Sequence, residues 1–159
     1  MSFLSTYAQD FLNAYGILKD SNDALIERMS GGEVKVGAET AFGTRPAMGI
    51  EVVCLAFSVE LHLKELHRVM SGKIPRGHNI AKLFRTLPAA VQEEVCSHRA
   101  IARYGWNDSQ FENELLAISD GFEKWRYAYE SVALWYNSYF AEVLIEASQF
   151  VATSKGSSI

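Results

Sequence analysis

The apolar positions of the chain fall into blocks with helical spacing. Between Phe3 and Met29, the residues Leu4, Tyr7, Phe11, Ala14, Leu18, Leu25 and Met29 recur at about helical intervals, which predicts an amphipathic helix. Ser21-Asn22-Asp23 either ends that helix or caps a second short one. Ala47 to Met70 is the strongest helical block. Its first half, Met48 to Val59, is apolar nearly all round except Glu51, the pattern of a central helix packed on several sides. Its second half turns amphipathic, with Glu60, Lys64 and His67 on one face, and Ser71-Gly72 stops it.

Lys73 to His78 reads as a loop, and Asn79 as the N-cap of a short helix through Leu87. Pro88 suits the first turn of a helix running to about Arg103, and Gly105 breaks the pattern. Asp108 or Ser109 caps a helix from Gln110 to Ile118. From Asp120 to Val151 a last long helix is predicted. Phe122, Trp125, Tyr129, Val132, Tyr136, Tyr139, Val143, Ala147 and Phe150 alternate spacings of three and four along it. That seam is either the core stripe alone or, in part, a dimer interface, where aromatic residues are enriched. One segment differs: Ser30 to Pro46 holds Gly31, Gly32, Gly37 and Gly43, and Glu33 to Val36 alternates like a short strand. A connection of that length is either mobile or functional. The resulting expectation is an all-α, up-and-down helical bundle of four to five main helices. A Gly-rich loop or short hairpin lies near residues 30–46, residues 1–153 form a single domain, and 154–159 form a flexible tail.

Composition narrows the class. With 159 residues, 48% of them hydrophobic, the chain suits one domain that needs no disulfide or metal staple. A net charge of −4 excludes a generic basic coat for nucleic acid. Cys54 and Cys96 form no CxxC pair, which excludes a disulfide framework and favours a reducing compartment. The first ten residues lack the pattern of a secretion signal. The longest apolar run, Val52 to Phe57, is 6 residues, against the roughly 20 a bilayer span requires. A cytoplasmic domain with no membrane partner is expected.

Charge is distributed in blocks. From Leu66 to Gln92 there are five basic residues, Arg68, Lys73, Arg76, Lys82 and Arg85, and no acidic one. From Gly105 to Glu123 the balance inverts, with Asp108, Glu112, Glu114, Asp120 and Glu123 and no Lys or Arg. Either the two blocks pair with each other, or the basic one meets phosphate through Lys73, Arg76 and Lys82, helped by the unpaired N–H groups of a helix start at His78-Asn79. No Walker A loop, nucleophile elbow, H-E-x-x-H or E-x-x-H motif occurs, and no metal or cofactor is expected. Glu94 and His98 stand one turn apart, a spacing that solvated surface pairs share. Glu60 faces Lys64 in the favourable i,i+4 order, and Arg126 stands among aromatics with Glu130 one turn on. These are either two structural ion pairs or, converging with His78, the lining of a polar pocket.

Three stretches, in order, resemble one branch of the HEPN superfamily: Phe57-Ser-Val-Glu60-Leu-His-Leu-Lys64, Gly77-His78-Asn79-Ile80, and Trp125-Arg126-Tyr127-Ala-Tyr129-Glu130. The resemblance spans roughly Gly49 to Leu144. It implies a small all-α homodimer associated with RNA or a nucleotide, of the kind found in prokaryotic defence or toxin–antitoxin systems. It implies ligand-binding roles for Glu60, Lys64, His78, Asn79, Arg126 and Glu130. Ribonuclease members carry a His four to six residues after the Arg, and none follows Arg126 here, so binding without cleavage is expected. Two alternatives remain: a metal-independent ribonuclease using Arg126 and His78 as catalytic residues, and a structural helical protein that acts through a partner protein.

Overall fold

The computed structural model describes residues 2–30, 49–126 and 136–156. Eight helices occur among them, and no strand: α1 (Phe3–Ser30), α2 (Ile50–Ser71), α3 (Ile80–Arg85), α4 (Ala89–Ser97), α5 (Arg99–Ala102), α6 (Asp108–Ile118), α7 (Gly121–Arg126) and α8 (Ser138–Gly156). The all-α class therefore holds. The loop or hairpin expected near 30–46, and Tyr129 and Val132 of the expected seam, lie outside the described residues.

α1 is one unbroken helix through Ser21-Asn22-Asp23, started by the Ser2 hydroxyl, which accepts from the Ser5 N–H at 3.1 Å. α2 is the centre of the structure and packs against α1, α7 and α8, with α3 near its end. Leu55, Val59, Leu63 and Leu66 of α2 meet Phe140, Leu144 and Val151 of α8, with Leu115 and Ile118 of α6 and Ile80 of α3 closing the core. The second half of α2 is not amphipathic as expected. Ser58, Glu60, His62, Glu65 and His67 are all buried. Neighbours on several sides cover most of that stretch, so its buried polar groups need partners inside the protein. Gly72 ends α2 at φ 70°, with its N–H on the Arg68 carbonyl at 2.8 Å. This left-handed stop favours glycine and turns the chain into the loop that carries Lys73, Arg76 and His78.

The long C-terminal helix expected from Asp120 to Val151 is not continuous. Tyr136 and Asn137 are not helical, and α8 starts afresh at Ser138. Asn137 makes the new start: its Oδ1 accepts from the Phe140 N–H at 3.0 Å, and its Nδ2 donates to Glu114 Oε2 at 2.6 Å. The seam splits accordingly. Tyr136, Val143 and Ala147 are buried, whereas Tyr139 and Phe150 stay exposed. α8 continues to Gly156, beyond the boundary expected at 153. The helix expected from Pro88 to Arg103 also breaks, at His98, where ψ is 138° and the ring Nδ1 caps α5 by accepting from the Ala100 N–H.

Candidate functional site

The loop between α2 and α3 brings two groups of sequence-predicted residues into place. The first is a polar cluster on α2. Glu60 is 1% exposed, and its carboxylate accepts from Lys64 Nζ at 2.6 Å, one turn on. The same carboxylate receives His78 Nδ1 at 3.0 Å from the end of the loop. A carboxylate only accepts, so Nδ1 carries the proton of this bond. Nε2 is then the outward nitrogen of a ring whose side chain is 48% exposed, and it makes no hydrogen bond among the described residues. The ring of Phe122 lies 5.5 Å from that of His78 and fixes its tilt from the side. Glu60, Lys64 and His78 thus meet as one cluster. The side chain of Arg126 and the whole of Glu130 lie outside the described residues.

The second group is a groove of about 400 Å³ on the other flank of the loop, walled by Lys73, Arg76 and Lys82 with His67, Ser71 and Thr86. Ile74 and Pro75 form its apolar rim. No carboxylate among the described residues lines it. The fate of the five basic residues is decided by pairing. Arg68 is held by Glu65 through two bonds of 2.7 and 2.8 Å, which holds that carboxyl below its usual range despite burial. Arg85 pairs with Glu112, so the basic and acidic blocks do meet at one point. Lys73, Arg76 and Lys82 form no ion pair among the described residues.

The start of α3 does not present free N–H groups. Ile80 N–H donates to the Ser119 carbonyl at 3.0 Å, Ala81 N–H to Ser119 Oγ at 3.2 Å, and Lys82 N–H to Asn79 Oδ1 at 2.8 Å. Asn79 also donates through Nδ2 to Asp120 at 2.8 Å. Its amide is wholly engaged in pinning α3 to the turn after α6, so a ligand would find the cations of the groove rather than this helix end.

Two histidines of α2, His62 and His67, are buried, whereas the sequence placed His67 on a polar face and gave His62 no role. His62 donates from Nδ1 to the Ser58 carbonyl at 2.8 Å, and its Nε2 faces Gln149 Nε2 at 2.7 Å. That contact makes Nε2 an acceptor and the ring neutral. Burial pushes the His62 pKa below the ordinary histidine value. His67 donates from Nε2 to the Leu83 carbonyl at 2.8 Å and forms part of the groove wall. The Glu94–His98 spacing is structural: Glu94 pairs with Lys155 of α8 at 2.5 Å, while His98 caps α5. Both cysteines are free thiols. Burial raises them, Cys96 to about 11, so neither is an activated nucleophile. Among the described residues no cluster of His, Cys, Asp or Glu could hold a metal ion, and no helix is long and apolar enough to cross a membrane.

Comparison with known proteins finds no matching family model, no matching curated protein and no matching solved structure. The likeness to the HEPN superfamily rests on the three stretches of sequence alone.

Proposed function

We propose that the protein is a HEPN-like helical bundle, working as a homodimer, that binds RNA or a nucleotide through phosphate. The observation that carries this reading is the groove of Lys73, Arg76 and Lys82: three cations in one concavity with no ion-pair partner and no lining carboxylate among the described residues, on a chain whose net charge is −4. Exposed cations left without partners, on a surface with acids in excess, have an anion as their natural complement. Glu60, itself paired with Lys64, holds His78 on the neighbouring flank, where the outward Nε2 offers a base or ribose one directional hydrogen bond. The exposed Tyr139 and Phe150 of α8 suit a second copy of the chain. The test is binding of a short single-stranded RNA at a series of salt concentrations. Phosphate contacts make affinity fall steeply with salt; binding that is absent, or indifferent to salt, ends this reading. Sedimentation at several protein concentrations tests the dimer.

The Glu60–His78 bond favours a second reading, a metal-independent ribonuclease. A carboxylate on Nδ1 leaves Nε2 as the basic nitrogen, the arrangement a general base requires, with Arg126 as the cation for the developing charge. Labelled RNA incubated with the wild type and with His78→Ala decides it. Equal cleavage by both, or none by either, removes the reading.

A further inference from the structure

We infer that the groove is selective for a terminal phosphate monoester, the 5′-phosphate of a nucleotide or of an RNA end, over the internal diesters of a chain. The inference rests on the phosphate-binding reading above and narrows its ligand.

Charge matching is the first argument. Lys73, Arg76 and Lys82 bring three positive charges to one concavity without a compensating acid among the described residues. A monoester carries about −1.5 to −2 at neutral pH, whereas each diester carries one negative charge, so the monoester balances the site more nearly. Shape is the second. A diester backbone is tracked by cations strung along a surface, whereas these three line a single depression of about 400 Å³, at the small end of ligand-site volumes. The Ser71 and Thr86 hydroxyls at its wall already donate to backbone carbonyls, Ser71 to His67 and Thr86 to Lys82 and Leu83, so the donors left for a guest are the three cations. The rim supplies the third. Ile74 is 53% exposed and stands with Pro75 at the groove edge, apolar surface that a sugar or base covers and bare inorganic phosphate does not. Arg76 adds a planar fork for two phosphate oxygens at once.

The experiment compares two RNA oligonucleotides of one sequence, one with a 5′-phosphate and one with a 5′-hydroxyl, by fluorescence anisotropy at fixed salt. Adenosine monophosphate and adenosine serve as competitors. The 5′-phosphorylated strand is expected to bind about tenfold more tightly, equivalent to about 1.4 kcal/mol. The monophosphate is expected to displace it while the nucleoside does not. Lys73→Ala and Arg76→Ala should bring the two strands to equal affinity; Lys155→Ala, which removes one positive charge outside the groove, should leave the ratio unchanged. Equal, salt-dependent binding of both strands by the wild type overturns the monoester preference and leaves RNA binding standing. Absence of salt-dependent binding to either strand overturns both.

Discussion

His78 Nδ1 lies 3.0 Å from Glu60 Oε2 across 18 positions of sequence, and that bond ties the α2–α3 loop to the buried middle of α2. Glu60 has two basic partners, of unequal weight. Lys64 is only 12% exposed and loses its counter-charge if Glu60 is removed, whereas His78 is half in solvent. Glu60→Ala should therefore destabilise the protein by about 3–5 kcal/mol, the typical effect of stranding a buried charge. His78→Ala should change stability by no more than about 1 kcal/mol, because Lys64 still holds the carboxylate. Urea unfolding of the two variants measures both, and similar losses would show that the cluster is not ordered in this way.

Charge removal in the groove has the opposite signature. Lys73→Ala, Arg76→Ala and Lys82→Ala should each lower the slope of log affinity against log salt by about 1. Folding stability should stay within about 0.5 kcal/mol, since none of the three has an ion-pair partner to lose among the described residues. Titrations at three salt concentrations, beside thermal melts, separate the two effects.

Acid should weaken the fold through His62. Its native pKa lies below the ordinary 6.5 because burial disfavours the imidazolium. The unfolded chain therefore binds more protons over the window between the native value and 6.5, and stability rises with pH there. Its contribution is complete above about 6.5 and is lost as pH falls through the native value. Urea melts at pH 5 and pH 7.5 should show a larger acid loss for the wild type than for His62→Asn; an identical loss would place the acid sensitivity elsewhere.

Alkali should act through Tyr15. Burial, and then the hydrogen bond to Glu142 at 2.5 Å, push its hydroxyl up from 10.0 to about 12. The native state holds that proton after the unfolded chain has released it, so this contribution is present below pH 10 and is lost as pH rises from 10 to 12. Tyr15→Phe should flatten the stability profile in that interval. Absorbance at about 295 nm (a general tyrosinate wavelength) should lose one late-ionising tyrosine.

Packing at the head of α7 allows almost no growth. A Cβ at Gly121 would collide with the buried Tyr136 ring and press on Ala56 of α2. Gly121→Ala should destabilise by about 1–3 kcal/mol, the usual penalty of overpacking. Asn137→Ala should remove about 1 kcal/mol with the cap of α8. Chemical denaturation checks both, and a neutral Gly121→Ala would mean that Tyr136 moves aside freely.

Helices that depend on their own periodicity were legible in the sequence. α1 and α2 follow their apolar spacing, and the Asn79 cap sits where local chemistry puts it. The break before α8 was not legible, because the aromatic spacing runs straight across Asn137 and only the bonds to Phe140 and Glu114 show that residue as a start. The i,i+4 pair Glu60–Lys64 could be read directly, but the arrival of His78 depends on how the loop returns, which no local rule sets. The burial of His62 and His67 was hidden for a related reason: a helix sequence shows which faces are polar, not how many neighbours will cover them. The charge blocks showed where cations gather but not which stay single; the contact between Arg85 and Glu112 sorted them.

The strip of chain from Lys73 to His78 is fastened at both ends, by the Gly72 stop on one side and by the Asn79 and Ser119 bonds on the other, with Glu60 gripping it near its close. A guest entering here meets a frame already assembled, so little chain entropy remains to be lost on its arrival. Its residence time is then governed by how well its own charges match, and loosening the far anchor, through Ser119→Ala, should shorten that time without touching a single residue of the groove.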